Sequence, residues 1–497
     1  MTAPRIVIIG SGFGGLGMAI RLRQAGFTAV AILEKAARLG GTWRENTYPG
    51  AACDSPSFLY CYSFEPKIDW SRKWAEQPEI LAYIEHCARK YDLLRHIRFN
   101  TEVTGARFDE SAGVWRIRTS DGDTLEAEIL VSATGQLNRP SLPTLQGLER
   151  FRGRHFHSAL WEHDVELAGR DVAVIGNAAS AVQFVPRIAP HVRRLTVFQR
   201  SANWMVPKND RVYSERTKRR FRRFPFLARL YRWWIWLQYE MRFPVLRQRK
   251  LMTYLGVTAA RRGLEAQVPD PALRRVLTPD YPLGAKRILI SDDYYPALQR
   301  DNVELITTPI DEVTADGIRT RDGRHVPAEV IIFATGFQTT SFLAPMHIEG
   351  RDGRLLEDVW RDGAEAYLGL AVAGYPNFFM LYGPNTNLGH NSIIFMLECQ
   401  INYVVQCVQA LAARGLTSMD VRPEAVRAYN VELQSILGRS VWAKTDHSWY
   451  KRADGRITNN WSGTTIAYWW RTRRPVLEHY ETVSRAAARD VAVSKVA

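Results

Sequence analysis

The feature that most restricts this chain is a strand–glycine–helix unit that occurs twice. Residues 5–9 (RIVII) form a short β-branched run that stops at Gly10; a helical pattern follows, and a second apolar run at 29–33 (AVAIL) ends on Glu34. The same order returns at 171–175 (DVAVI), with Gly176, a helical stretch and a run at 195–198 (LTVF). Strand, tight turn, helix and second strand make up the repeating unit of a parallel sheet. The chain is therefore predicted to be α/β, with two Rossmann-like dinucleotide-binding domains.

Further strand-like runs stand at 287–290 (RILI), 303–306 (VELI) and 330–334 (VIIFA), and a helix is expected from about residue 391 to 413. Between the second unit and its continuation, residues 211–284 are rich in Arg, Trp and Phe and read as helical. This gives a first domain of 1–145 with 340–497, a second of 152–210 with 285–338, and a helical insert at 211–284 within the second.

The first unit reads Gly10-Ser-Gly12-Phe-Gly14-Gly15. In G-x-G-x-x-G, Gly10 makes the turn, Gly12 lets backbone approach a pyrophosphate, and Gly15 lets the helix pack on its strand. The helix N-terminus then faces the phosphates. Glu34 sits where a carboxylate accepts hydrogen bonds from ribose hydroxyls. The second unit, Gly176-Asn-Ala178-Ala-Ser-Ala181, has alanine at its middle glycine, which places a methyl group where backbone should approach the pyrophosphate. At the place matching Glu34 it carries Arg200, within Gln199-Arg200-Ser201. An acid there suits a free ribose 2′-hydroxyl and an arginine suits a 2′-phosphate. FAD is therefore expected in the first site and NADPH in the second, with a solvated surface arginine as the plainer reading of Arg200.

Composition narrows the setting. The five cysteines, at 53, 61, 87, 399 and 407, fit neither a zinc pattern nor a compact disulfide frame, so a reducing cytoplasm is expected. Cys53 and Cys61 lack the close pairing of a flavin disulfide reductase. No secretory leader precedes the first strand, and no apolar stretch reads as long enough to cross a bilayer. His155, His157 and His163 lack the partner ligands that a metal site requires, so no metal is expected.

The net charge of +15 is local: residues 211–250 hold thirteen Lys or Arg against Glu215 and Glu240, a net +11, and leave +4 for the rest. A nucleic-acid-binding chain would spread its charge over a face or arm, and none is expected as a partner. The same forty residues hold ten aromatics, including Trp233, Trp234 and Trp236. The plainer reading is a helical insert with solvated arginines; the sharper one is contact with an anionic membrane surface.

A set of further motifs runs in order across nearly the whole chain. Gly40-Gly41-Thr-Trp43, then Tyr48-Pro49-Gly50 and Asp54, resembles the long motif of type I Baeyer–Villiger monooxygenases. Phe151-x-Gly153-xxx-His157-xxx-Trp161 is similar to that family's shorter fingerprint, between the two units. Related flavin monooxygenases that oxidise N and S atoms usually place Tyr or Phe at the position of Trp161. Gln199-Arg200-Ser201, Lys286-Arg287, Ala334-Thr335-Gly336, Gly383-Pro384-Asn385 and Ser448-Trp449-Tyr450 complete the match. The departures are Ala178 and Glu162, where the family usually has Pro or Asp.

The resemblance implies roles. Arg287 would lie over the flavin and stabilise a peroxide anion and then a tetrahedral adduct, with Asp54 pairing it. Arg200 and Lys286 would grip the 2′-phosphate, Trp449 would contact the nicotinamide nucleotide, and His157 would support domain movement. Gly41, Trp43 and Asn385 join the expected cofactor-binding set. Elementary chemistry agrees about the arginine, which stays protonated and can stabilise an oxyanion without giving its proton away. The activity implied is NADPH- and O₂-dependent conversion of ketones to esters or lactones through a C4a-peroxyflavin. The alternatives are a flavin-containing monooxygenase acting on N or S atoms, a flavoprotein reductase or oxidase without oxygen insertion, and a non-enzymatic membrane-binding protein.

Overall fold

The computed structural model describes residues 4–445, 450–452 and 454–484. Its two large sheets draw on ten strands: β1 (Ile6–Ile9), β2 (Val30–Leu33), β3 (Ile97–Arg98), β4 (Ile129–Ser132), β5 (Arg154–His157), β6 (Asp171–Ile175), β7 (Arg194–Phe198), β8 (Val303–Ile306), β9 (Val330–Phe333) and β10 (Phe378–Met380). The first sheet has the order β10-β4-β1-β2-β3 and the second β8-β7-β6-β9-β5, every neighbouring pair being parallel. β1, β4 and β9 are buried along their whole length, as continuous apolar strands covered on both faces must be.

In each sheet the strand order reverses at the strand that starts the unit, β1 between β2 and β4 and β6 between β7 and β9. The carboxyl ends of those strands are where an open α/β sheet leaves a crevice for ligands. Helices α1 (Phe13–Gln24) and α2 (Ala179–Ile188) follow directly, so each helix N-terminus faces its crevice.

Residues 103–127, with 347–349, form a four-stranded sheet, and 310–327 a three-stranded one; the sequence reading passes over both. Their signal was present as strict alternation, as in Val114–Thr119, where arginines 116 and 118 point outward between buried Trp115, Ile117 and Thr119. The strand expected at 287–290 shrinks to Leu289–Ile290, paired in parallel with Met205–Val206 outside the main sheets. Lys286 and Arg287 thus lie on a connecting segment, free of a ladder.

The insert is helical, with α3 (Glu215–Arg223), α4 (Pro225–Glu240) and α5 (Lys250–Gln267) as its longest members. It is divided between two cores. Tyr213, Ala228, Ile235, Tyr239 and Leu246 join the core beside the first sheet, whereas Leu264, Val268 and Leu277 join that of the second.

Helix α6 (Ile393–Ala413) begins where the sequence placed it, with Ser392 Oγ accepting from Ile394 N at 3.2 Å. It corrects one expectation: its 21 residues are by length and composition enough to cross a bilayer. Most of that apolar surface is buried against α1 and α7 (Thr465–Thr472), as in the core helix of a globular fold. The chain passes from the first sheet to the second at 139–141 and returns at 336–338. There Ser141 N donates to Gly336 O and Gln338 N to Arg139 O, each at 2.9 Å.

Candidate active site

The first crevice is built by glycines that admit no side chain. Gly10 has φ +101°, and a Cβ there would lie 2.7 Å from the Ala133 carbonyl oxygen; a Cβ on Gly15 would lie 1.9 Å from that of Gly10. Gly12 is different: its backbone is extended (φ −82°) and the nearest atom to an added Cβ is Gly41 Cα at 3.6 Å. Its missing side chain keeps the cradle open for a ligand and is not demanded by the fold. Gly41, at φ +54°, closes over it, which explains why the second glycine pair of the sequence accompanies the first.

Glu34 is buried at the rim. Its Oε2 accepts from Ser11 N (3.1 Å) and Ser11 Oγ (2.6 Å), while Oε1 accepts from Ala36 N (3.0 Å) and pairs with Arg44 Nη1 at 2.9 Å. Burial opposes charge on Arg44, but Glu45 and Glu34 outweigh it and raise its pKa. A cavity of about 330 Å³ runs from Gly10 and Glu34 past Gly41 and Trp43 to Tyr60 and Tyr382. Trp43 is buried at its inner wall, with Nε1 donating to Tyr60 OH at 3.1 Å. An open glycine cradle, a ribose-level carboxylate and an apolar inner chamber fit an adenine dinucleotide carrying a flat ring system.

The second crevice repeats the first. Gly176 has φ +106°, and its Cβ would meet the Ala334 carbonyl oxygen at 2.5 Å. The Ala334-Thr335-Gly336 turn matches Ala133-Thr134-Gly135, a duplication already present in the sequence. Ala178 adopts φ −86°, within a few degrees of Gly12, so this position needs no glycine for its backbone. Its methyl group is exposed to the crevice. Arg200 is exposed, while Lys286 is half-buried, donates to Ser201 Oγ at 3.2 Å and lies 4.4 Å from the Tyr281 ring centre. Burial, and then the charge of Arg200, lower the Lys286 pKa. Two neighbouring cations, neither in an ion pair among the described residues, with Asp280 as the acid acting on Lys286, fit a dianionic phosphate.

Arg287 and Asp54 meet between the crevices. Their side chains form an ion pair, with 38% and 31% of their surface still open. Burial opposes charge on Arg287, but Asp54, with Tyr450 and Tyr382 nearby, raises its pKa above the ordinary arginine value. Burial also pushes the Tyr450 phenol up to about 12 and raises that of Tyr382. The site therefore offers a permanent cation among neutral hydroxyls. Tyr60, Tyr382 and Arg44 escaped the sequence reading because no spacing links them to the motifs.

The other motif residues act at the boundary between the sheets. A Cβ on Gly50 would lie 2.9 Å from Gln183 O, so this turn fits tightly on α2. Phe151 is buried against the other face of the second sheet, with Ile175 and Phe333, and Gly153 leaves room for it and for the Glu329 carbonyl, which an added Cβ would approach to 2.2 Å. His157 is buried, its Nδ1 accepts from Ala159 N at 3.1 Å, and its ring lies 5.8 Å from Phe337 in the return passage. Burial lowers its pKa. Trp161 packs on Phe156 and Phe184, with ring centres 5.2 and 5.3 Å away. Asn385 is buried, and its Nδ2 donates to Ile457 O (2.9 Å) and Asn460 O (3.1 Å). Trp449 lies outside the described residues. All five cysteines are free and buried.

The chain's residues 7–225 match the family model described as pyridine nucleotide-disulphide oxidoreductase. It is 43% identical to a Baeyer-Villiger monooxygenase of Streptomyces coelicolor, over 97% of this chain and 93% of that one. With a Baeyer-Villiger monooxygenase of Pseudomonas aeruginosa it shares 45% identity, over 94% and 89% of the two chains. Among solved structures, oxidised steroid monooxygenase bound to NADP superposes with a TM-score of 0.87 at 35% identity, over 97% of this chain and all of that one. OTEMO in complex with FAD and NADP gives the same score at 29% identity, over the same 97% and 100%. This chain belongs to the Baeyer–Villiger monooxygenase family.

Proposed function

We propose that this protein binds FAD in its first crevice and NADPH in its second, and converts ketones to esters or lactones. Residues 1–145 with 340–497 would form the FAD domain, 152–210 with 285–338 the NADP domain, and 211–284 the insert. The balance is ketone + NADPH + H⁺ + O₂ → ester + NADP⁺ + H₂O. Bound FAD, reduced by NADPH, supplies the oxygen activation, and the rest of the task falls to the side chains.

The observation that carries this reading is the Arg287–Asp54 pair at the junction of the two crevices. Asp54 orients the guanidinium and keeps it charged. Arg287 can then donate N–H bonds to an oxyanion developing on the substrate while retaining every proton, as a lysine or histidine would not. Tyr60, Tyr382 and Trp43 wall the chamber with groups that stay neutral. Gly12 admits the pyrophosphate, Glu34 accepts from the ribose, and Arg200 with Lys286 holds the 2′-phosphate. His157, set against Phe337 in the passage between the sheets, positions the two domains. Trp161 anchors the fingerprint segment to α2.

The test is turnover of the FAD-loaded enzyme with NADPH, O₂ and a panel of cyclic, linear and aryl ketones, with products identified by gas chromatography. Ester formed in step with NADPH consumption is the expected result. Hydrogen peroxide released in step with NADPH, with no ester from any ketone, would make the chain an oxidase and refute the reading.

A further inference from the structure

Helix α4 is amphipathic in an unusual sense. Ala228, Ile235 and Tyr239 face the core, yet Phe226, Leu230, Trp233, Trp234 and Met241, recurring at helical spacing on another face, are all exposed. Phe226, Leu230 and Trp233 expose 57–58% of their surface. Helix α7 repeats the arrangement: Thr465, Tyr468 and Thr472 are buried, and Ile466, Trp469 and Trp470 are 46–58% exposed. Single exposed apolar residues need no account, but two adjacent apolar stripes do.

The two helices are fixed together. Glu240, at the end of α4, is buried and accepts from Thr465 N (2.7 Å) and Thr465 Oγ1 (2.8 Å) at the start of α7. Trp236 Nε1 also donates to Thr465 Oγ1 at 3.2 Å. The stripes therefore form one preset face, and a cavity of about 860 Å³ opens between them, lined by Trp233, Trp469 and Phe395 among others. Helix α6 turns Phe395 and Glu398 to this cavity and Ile394 and Leu397 to the first crevice, so the cavity lies outside the proposed reaction chamber.

Charge decides what covers this face. Residues 216–239 hold eight arginines and lysines and no acid. Helix α3 buries none of its residues, and Arg219, Arg220, Arg222 and Arg223 are solvent-exposed beside α4. Among these, Arg222 lies 3.6 Å from Asp69. On α7's side, Arg473 stacks 3.6 Å from the Trp470 ring centre. Tryptophans flanked by arginines match the interface of a bilayer, where indole rings sit at headgroup level and cations meet phosphate.

We propose that the α4–α7 face docks on an anionic phospholipid bilayer. Tryptophans 233, 234, 469 and 470 enter the headgroup region, and the arginines of α3 lie along the phosphates. This is independent of the enzymatic reading above.

The test is co-sedimentation of the FAD-loaded enzyme with phosphatidylcholine vesicles, with and without phosphatidylglycerol, at low and high salt. Several-fold more protein should pellet with phosphatidylglycerol than without it at low salt, and the excess should vanish at high salt. Trp233→Gln with Trp470→Gln should abolish the excess while flavin content and turnover of a water-soluble ketone stay unchanged. If that variant loses its flavin, Arg219→Glu with Arg223→Glu, on a helix with no buried residue, must abolish it instead. Equal pelleting from both vesicles, or full binding by a folded variant, overturns the proposal. So does light scattering that shows a vesicle-free dimer made monomeric by the tryptophan changes, which would make the face a contact between two copies.

Discussion

Tyr48 donates its hydroxyl to Gln183 Oε1 at 2.9 Å, and the same amide brackets Ala52, accepting from its N at 3.2 Å and donating to its O at 3.0 Å. One side chain of α2 thus holds the segment that carries Asp54. Gln183→Ala should leave the Ala52 N–H and carbonyl without partners, and Tyr48 with one partner fewer, at the boundary between the sheets. Loss of buried partners costs about 1–3 kcal/mol per site. The thermal midpoint should fall by several degrees, and more hydrogen peroxide should escape per NADPH as Asp54 loses its support. An unchanged peroxide yield in a destabilised variant would confine Gln183 to a structural role.

Arg287→Ala should bind FAD and be reduced by NADPH at near-normal rates, yet form almost no ester. Removing one well-placed donor to a developing oxyanion costs about 10²–10³ in rate. Arg287→Lys should not restore activity, because an ammonium lacks the planar fork that bridges Asp54 and a second oxygen. Asp54→Ala should be impaired in the same way but less. Stopped-flow spectra separate reduction from reoxidation, and gas chromatography counts ester; near-normal ester yield from Arg287→Ala would dismiss the mechanism.

NADPH should be preferred over NADH, and neutralising Arg200 and Lys286 together should raise KM for NADPH far more than for NADH. Because burial and Arg200 lower the Lys286 pKa, raising the pH should discharge this lysine below the usual lysine range. KM for NADPH should then climb with pH while KM for NADH stays flat. Parallel pH profiles for the two coenzymes would show that Lys286 does not sense the phosphate.

Glu240 makes a separate prediction about stability. Burial opposes its charge, but the nearby His390 ring, 3.5 Å away, and hydrogen bonds from Thr465 and Asn391 outweigh that and bring its pKa down to about 2 from 4.5. A lowered folded-state pKa contributes stability that is fully present above the unfolded value and is lost as pH falls through the folded one. The difference in thermal midpoint between the parent and Glu240→Gln should therefore be constant above about pH 4.5 and shrink as the pH falls towards 2. A difference independent of pH over that window would mean that the carboxylate charge contributes nothing.

The glycine units, their parallel strands and the start of α6 were legible because continuous apolar runs and glycine spacing are local signals. Arg287 and Asp54 were legible only through motifs, since 233 positions of sequence separate two side chains that touch. The partners of the Asn385 amide, Ile457 and Asn460, lie more than seventy positions away and have no signal in its motif. The insert was read as one block because its composition is uniform. Its division between two cores depends on which residues of each helix turn inward, and that is decided by the surfaces it meets.

The paired passages at 139–141 and 336–338 have a mechanical consequence. Two adjacent segments laced by backbone hydrogen bonds resist sliding along their length far more than twisting about it. Within these passages, reorientation of one nucleotide crevice against the other is easier as a rotation about their shared axis than as a slide along it. Phe337 lies in one of the paired segments and the His157 ring packs against it, so both stand beside this axis.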